Sequence, residues 1–126
     1  MRRSSNISLP VLLLLSVWGW GCSICSDEMI WSKASPDGKM MATVFARDCG
    51  ATTKEVTWVT VHLNSGKYDR ERDIAMTAER PQKIEISWTD NHNLSVRCLT
   101  CRPSEVHAQR AKVGFVNINY TFDLER

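Results

Sequence analysis

The sequence lacks the short motifs that mark common enzyme classes. It contains no G-x-S-x-G nucleophile turn, no HExxH zinc motif, no P-loop and no dinucleotide-binding glycine pattern. No pair of carboxylates stands out, and the histidines fall in separate segments at His62, His92 and His107. We therefore predict no catalytic residue, no bound metal and no cofactor.

The chain also lacks an apolar run long enough to cross a bilayer. Its longest such run covers the 12 residues 9–20, whereas a membrane-spanning helix needs about 20 residues. Arg2 and Arg3 precede this run, and Gly21 and Cys22 follow it. A basic start, an apolar centre and a small residue at the break are typical of a secretory signal. We predict that residues 1–21 are a signal peptide that is removed on export.

Two modes of cleavage fit the end of this signal. Bacterial lipoprotein signals place a cysteine directly after a small residue, because its thiol receives the lipid before cleavage, and Gly21-Cys22 meets that demand. Gly19 and Gly21 also supply the small residues of ordinary cleavage. We favour lipidation of Cys22, which would hold the protein to a membrane on the periplasmic side. A secreted soluble form and an uncleaved anchor are the alternatives.

The exported part lacks an excess of charge of either sign. Removing the first 21 of the 126 residues leaves 105, and Arg2 and Arg3 leave with them, so 14 Lys and Arg balance 14 Asp and Glu. A neutral domain with interspersed charges gives no electrostatic reason to bind nucleic acid. The remaining length fits one small domain, which is too rich in Val, Ile, Leu and Trp to be disordered.

The exported part also lacks a convincing amphipathic helix. Its apolar residues instead recur at every second position. Apolar and polar residues alternate in four segments, 57–63, 84–88, 94–98 and 116–122, and further strands are predicted at 40–47 and 73–78. Such alternation is typical of antiparallel sheets with one face on a core. We predict an all-β fold of about six strands, an antiparallel sheet curled or packed as a sandwich, over residues 35–126. Residues 22–34 would be a tether, and residues 89–93 a five-residue hairpin loop.

Two motifs carry a resemblance to a known family. Residues 35–39 are SPDGK, and residues 47–53 are RDCGATT. Together they resemble a family of small uncharacterised bacterial exported proteins and lipoproteins, with the similarity covering roughly residues 30–120. The resemblance implies export and a β-rich fold. It implies no activity, because none is assigned to the family.

The segment that follows the predicted strand at 40–47 is the leading candidate for a binding loop. Its small residues permit close approach of a ligand to the backbone, and its carboxylate and hydroxyl oxygens could hydrogen-bond that ligand or a protein partner. The alternative is a tight strand connection, in which the acid caps backbone N–H groups and the threonines begin the next strand. The candidate residues are Asp48, Gly50, Thr52 and Thr53.

The cysteines predict disulfides rather than catalysis. Five are present, and if Cys22 is lipidated the other four allow three full pairings. Disulfides are expected in an exported chain. Chain entropy favours a long link and proximity favours a short one. We favour Cys98–Cys101, with Cys25–Cys49 as a further pair.

Cys98 and Cys101 also allow two functional alternatives. A reactive thioredoxin-like pair needs a helix N-terminus, but this pair follows a predicted strand and precedes Pro103. A zinc site would add His92 and His107, in a spacing that matches no common zinc module.

The sequence thus predicts a non-catalytic, lipid-anchored module of the bacterial cell envelope with a binding or structural role. Its partners would be the membrane, through the N-terminal lipid, and an envelope protein. An inhibitor or immunity-type protein that blocks an envelope enzyme is the first alternative, and a protruding loop would favour it. A thiol or zinc protein centred on the CxxC is the second.

Overall fold

The computed structural model describes residues 25–50, 55–65, 69 and 71–123. The described residues form two packed sheets and one short 3-10 turn at Pro103–Glu105. The strands are β1 (Ser26–Ala34), β2 (Met40–Asp48), β3 (Val56–Leu63), β4 (Ile74–Glu79), β5 (Ile84–Asp90), β6 (Asn93–Cys98), β7 (Val106–Gln109), β8 (Lys112–Val113) and β9 (Val116–Phe122). One sheet has the order β1-β2-β3-β4-β7, and the other has the order β5-β6-β9-β8. The all-β prediction is therefore confirmed, as a sandwich that does not close into a barrel.

The structure differs from the sequence prediction in the segment assigned to a tether. Residues 26–34 form β1, which pairs antiparallel with β2 along its whole length. Alternation failed to reveal this strand for two reasons. β1 lies at a sheet edge with only Trp31 partly buried, and a bulge between Met29 and Trp31 shifts its register. β7 and β8 were also missed, because strands of four and two residues are too short to show a period.

The prediction of antiparallel pairing is wrong for one pair of strands. β6 and β9 run parallel, from Asn93 opposite Asn117 to Cys98 opposite Phe122. Between them the chain crosses to the other sheet to form β7 and then returns, and such a crossover is what parallel pairing requires. Alternation of side chains reports which face is buried but not the direction of the neighbouring strand.

The core lies between the inner faces of the two sheets, and apolar side chains from both contribute to it. In the five-stranded sheet these are Ala42, Val44, Val59, Val61, Ala75, Met76 and Ala78. In the four-stranded sheet they are Ile84, Ile86, Leu94, Val96, Cys98, Val113, Val116 and Ile118. Because the inward residues of each strand are apolar and their neighbours face outward, burial of this set selects the observed register.

Two tryptophans join the sheets along one side of the sandwich. The indole N–H of Trp31 in β1 donates to the carbonyl oxygen of Ile84 in β5 at 3.2 Å. The indole N–H of Trp88 in β5 donates in return to the carbonyl oxygen of Lys33 in β1 at 2.9 Å. These bonds and the bulge in β1 occupy edge groups that could otherwise pair with another chain.

On the opposite side, the chain itself joins the sheets as it passes from β7 to β8. The N–H of Arg110 donates to the carbonyl oxygen of Ala75 in β4 at 2.8 Å. The hydroxyl of Tyr120 in β9 lies 2.6 Å from the carbonyl oxygen of Arg110. Burial raises the pKa of Tyr120 to about 12, so this hydroxyl remains a donor through the physiological range.

Candidate functional site

The long axis of the sandwich separates two different ends. The disulfide end contains Cys25, Cys49, Cys98 and Cys101. The turn end contains the connections at residues 35–39, 91–92 and 114–115, together with residues 64–65, which begin the connection from β3 to β4. β2 runs between the two ends, and its nine residues span about 27 Å at a rise of about 3.3 Å per residue.

Both disulfide pairs favoured from the sequence occur at the disulfide end. Cys25, directly before β1, is bonded to Cys49, directly after β2. Cys98, the last residue of β6, is bonded to Cys101, and both residues are fully buried. In this oxidised state neither sulfur of the CxxC is a thiolate able to attack a disulfide or bind a metal.

The four residues of the suggested zinc site do not come together. His92 precedes β6 and Cys98 ends it, so the length of the strand, about 17 Å, separates them. His107 instead pairs with Glu79, with 2.6 Å between its Nε2 and the carboxylate. Within the described residues, no group of three or more His, Cys, Asp and Glu side chains is arranged to hold a metal ion.

A hydrogen-bonded cluster centred on Glu105 surrounds the CxxC. The Glu105 carboxylate accepts from the guanidinium of Arg80, from the backbone N–H of Arg102 at 3.1 Å and from the side-chain amide of Gln82 at 3.0 Å. These donors, Arg80 above all, lower the pKa of Glu105 to about 2. Gln82 in turn accepts from the hydroxyl of Thr100, inside the CxxC, at 2.6 Å. The cluster therefore fixes residues 80–82 to residues 100–105, which is a structural role.

The candidate binding loop begins at the disulfide end. Asp48 is exposed, and its carboxylate accepts the backbone N–H of Gly50 at 3.1 Å. Gly50 has a φ of +127°, in a region that favours glycine. The bond from the Gly50 N–H to Asp48 is of the kind expected of a capping acid, and the binding loop itself stays a prediction. Thr52 and Thr53 lie outside the described residues, as does Cys22.

Side-chain hydrogen bonds connect the turns of the turn end. The backbone N–H of Asp37 donates to the side-chain oxygen of Asn91 at 2.9 Å, which joins a turn of one sheet to a turn of the other. The side-chain amide of Asn64 donates to the carbonyl oxygen of Gly38 at 3.0 Å. Gly38 has a φ of +77°, so the SPDGK motif forms a turn that requires glycine at this position.

The hairpin between β5 and β6 is tighter than the sequence suggested. Asp90 pairs with Asn93, so the loop has the two residues Asn91 and His92 instead of five. The Asp90 carboxylate accepts the backbone N–H of His92 at 2.8 Å and the side-chain amide of Asn93 at 2.9 Å. These bonds lower the pKa of Asp90. The polar residues that suggested a long loop thus form a hydrogen-bonded turn.

An exposed phenylalanine occupies the tip of the hairpin between β8 and β9. Val113 pairs with Val116, which leaves Gly114 and Phe115 as a two-residue turn. Gly114 has a φ of +61°, as the first position of a type II′ turn requires. Phe115 is 80% exposed. Leu63, 59% exposed, lines the same groove as Phe115, so the two form one apolar patch at the turn end.

A second apolar group lies on the outer face of the five-stranded sheet. Met29, 63% exposed, is opposite Phe45, which stacks on Trp58 with 5.6 Å between ring centroids. The guanidinium of Arg47 lies 5.9 Å from the Trp58 ring centroid. Phe45 itself is buried. This second apolar group therefore exposes mainly the Met29 side chain to solvent, whereas the patch at the turn end exposes a whole aromatic ring.

Sequence reasoning did not identify Phe115. The segment Val-Gly-Phe-Val at residues 113–116 is compatible with a hairpin, because a glycine in a two-residue connection flanked by β-branched residues is typical of a short hairpin turn. That interpretation would have placed an aromatic side chain at a turn position, where polar residues are usual. The two-residue strand β8 hid the hairpin from the alternation pattern.

Two observations bear on the compartment of the protein. The two disulfides fit an exported protein in an oxidising environment. The described part of the chain contains no helix of the length and hydrophobicity needed to span a membrane.

No protein-family model matches the chain, and no match is found to a curated protein or to a solved structure. The resemblance drawn from SPDGK and RDCGATT stays a prediction.

Proposed function

We propose that this protein is a non-catalytic module of the bacterial cell envelope, held to a membrane by a lipid on Cys22, that binds a protein partner through its turn end. The observation that carries the proposal is the position of Phe115. Its ring is 80% exposed at the end of the sandwich opposite Cys25, where the chain enters the fold.

A lipid on Cys22 would keep the disulfide end close to the membrane. Cys22 lies three residues before Cys25, and three extended residues span only about 10 Å. The Cys25–Cys49 bond ties this short connection to the end of β2. The turn end would then face away from the anchor, toward other proteins of the envelope.

A protruding hairpin also supports the first alternative, an inhibitor or immunity-type protein. Such proteins insert a rigid tip into a site on their target, and aromatic residues are frequent anchors in protein interfaces. The type II′ turn holds Phe115 on a short, fixed hairpin. The thiol or zinc alternative finds no support in a buried, oxidised Cys98–Cys101 pair.

The anchoring is tested by intact-mass analysis of the membrane fraction from cells that produce the full chain. We expect a mature mass that begins at Cys22 and includes acyl chains. The Cys22→Ser variant should lack the acyl mass and leave the membrane fraction or keep its signal peptide. A wild-type protein recovered as an unmodified soluble chain would overturn the anchoring.

A further inference from the structure

We infer that the Cys25–Cys49 disulfide is a redox switch, which an external dithiol opens in the folded protein and which then releases the first part of β1. The Cys98–Cys101 disulfide stays closed under the same conditions. The opening depends on the folded domain alone. Its effect on the distance between the domain and the membrane rests on the proposed function, in which Cys22 carries the lipid.

The two disulfides differ in their access to solvent. Cys25 and Cys49 are both partly exposed, whereas Cys98 and Cys101 are fully buried. A thiolate must reach a sulfur atom in order to attack it, so access limits the rate of thiol–disulfide exchange. The cluster centred on Glu105 also holds the CxxC in place. Of the two bonds, Cys25–Cys49 is therefore the one that reacts before the fold opens.

Opening this bond is a two-electron reduction by a dithiol, which is either a small molecule or a dithiol protein of the envelope. One thiolate of the dithiol attacks the sulfur of Cys25 or Cys49, the S–S bond breaks and a mixed disulfide forms. The second thiolate of the dithiol then displaces the remaining cysteine sulfur. The dithiol leaves as a disulfide, and its two protons pass through solvent to the two cysteine thiols.

Residues 26–29, which precede the bulge in β1, are the part of the strand that the bond holds. They pair with β2 on one side only, because β1 is an edge strand, and all four are exposed. The ion pair between Asp27 and Arg47 is accessible to solvent and adds little. Edge segments with few buried groups open at low free energy. Without the disulfide, residues 26–29 therefore fray from β2.

Residues 31–34, which follow the bulge, are held independently of the bond. The indole N–H of Trp31 donates to the carbonyl oxygen of Ile84. The carbonyl oxygen of Lys33 accepts from the indole N–H of Trp88. Both hydrogen bonds join β1 to the other sheet. Fraying therefore stops at the bulge, and the rest of the sandwich stays folded.

Opening the bond lengthens the connection between the anchor and the domain. With the bond closed, the three residues from Cys22 to Cys25 reach about 10 Å. With residues 26–29 released, the nine residues from Cys22 to Trp31 reach about 30 Å. The redox state of a single disulfide thus changes the reach of an anchored domain about threefold.

Differential alkylation of the protein produced from the full chain tests which bond opens. Free thiols are blocked with iodoacetamide, the folded protein is treated with dithiothreitol, and new thiols are labelled with N-ethylmaleimide. Mass spectrometry of the peptides should show labelling of Cys25 and Cys49 at least about tenfold faster than that of Cys98 and Cys101. Equal rates for the two pairs, or no labelling before the protein unfolds, would overturn the inference.

Hydrogen exchange of the same samples tests whether the first part of β1 is released. On reduction, the amide protection of residues 26–29 should fall at least about tenfold, whereas that of residues 31–34 should change less than about twofold. Unchanged protection of residues 26–29, or an equal loss along the whole strand, contradicts the release.

Two double variants assign the effect to one bond. Cys98→Ala/Cys101→Ala keeps the Cys25–Cys49 bond, so reduction should still lower the protection of residues 26–29. Cys25→Ser/Cys49→Ser lacks that bond and should show the low protection without dithiothreitol. A further loss in this second variant on reduction would assign the effect to the CxxC and overturn the inference. The wild-type measurement holds whether or not either variant folds.

Intact mass of the same samples separates the switch from the proposed anchoring. Acyl mass on Cys22 without selective opening of the Cys25–Cys49 bond contradicts the switch alone. Selective opening in a protein without acyl mass contradicts the anchoring, and with it the change in reach, but leaves the switch in place.

Discussion

The two ends of the sandwich are held together by different means. At the disulfide end, two disulfides and the cluster centred on Glu105 fix the chain segments. At the turn end, hydrogen bonds such as that from the Asp37 N–H to Asn91 connect short turns. The apolar groups differ as well, because Cys98 and Cys101 are fully buried whereas Phe115 and Leu63 are exposed.

This difference fits the proposal that the disulfide end stabilises the fold and the turn end binds a partner. The covalent bonds and the charged cluster lie where the chain would emerge from a membrane anchor. Phe115 is 80% exposed at the other end, which fits the proposed contact with a partner. The predictions below test whether the two ends differ in this way.

The largest expected effect is the loss of the Cys25–Cys49 bond. The bond joins residues 24 apart in sequence, and chain entropy gives a contribution of about 3.5 kcal/mol for a loop of this size. The double variant Cys25→Ser/Cys49→Ser should lower the free energy of unfolding in urea by that amount. A loss below about 1 kcal/mol would show that this bond does not hold β1 to the fold.

Loss of the Cys98–Cys101 bond should have a smaller effect. The two residues are three apart in sequence, and closing so short a loop contributes about 2 kcal/mol. Cys98→Ala/Cys101→Ala, which buries no hydroxyl at these two fully buried positions, is measured by the same urea titration. A cost larger than that of the first pair would mean that packing around the buried sulfurs outweighs loop entropy.

The cluster at the disulfide end should make stability depend on pH. The pKa of Glu105 is lowered from 4.5 to about 2 in the folded protein, chiefly by Arg80. The stabilisation is therefore complete above pH 4.5 and is lost as the pH falls toward 2. Urea titrations across this range should show a steeper loss for the wild type than for Glu105→Gln. Parallel curves for the two proteins would contradict the role of the cluster.

The smallest effect is expected at Phe115. Because the ring is 80% exposed, Phe115→Ser should change the free energy of unfolding by less than about 0.5 kcal/mol. The matched control is Val116→Ser, one residue away and fully buried, which should cost more than about 2 kcal/mol. A large loss for Phe115→Ser would assign the ring to the fold instead of to a partner.

The sequence was sufficient for the fold class and for much of the core. The alternation of Ile84, Ile86 and Trp88 reported burial on one face, and the structure places Ile84 and Ile86 in the core. The same pattern carried no information on strand direction, so the parallel pairing of β6 and β9 was missed. It also missed β1, whose bulge and edge position remove the alternation.

The candidate site was less predictable than the fold. Hydroxyl and acidic residues drew attention to Asp48 and the segment after it, and the structure adds only that Asp48 accepts the backbone N–H of Gly50. Phe115 was overlooked because it belongs neither to a motif nor to an alternating segment. Its significance depends on exposure and on its distance from Cys25, and both are properties of the folded chain.

Orientation on the membrane tests the central claim most directly. One lipidated protein would carry a fluorescent amino acid in place of Glu28, near the disulfide end, and a second would carry it in place of Phe115. Each protein is placed in vesicles of phosphatidylethanolamine and phosphatidylglycerol. An energy acceptor is attached to the lipid headgroups. We predict strong energy transfer from position 28 and much weaker transfer from position 115, because about 27 Å separates the two ends. Equal transfer from both positions, or stronger transfer from position 115, would contradict the account.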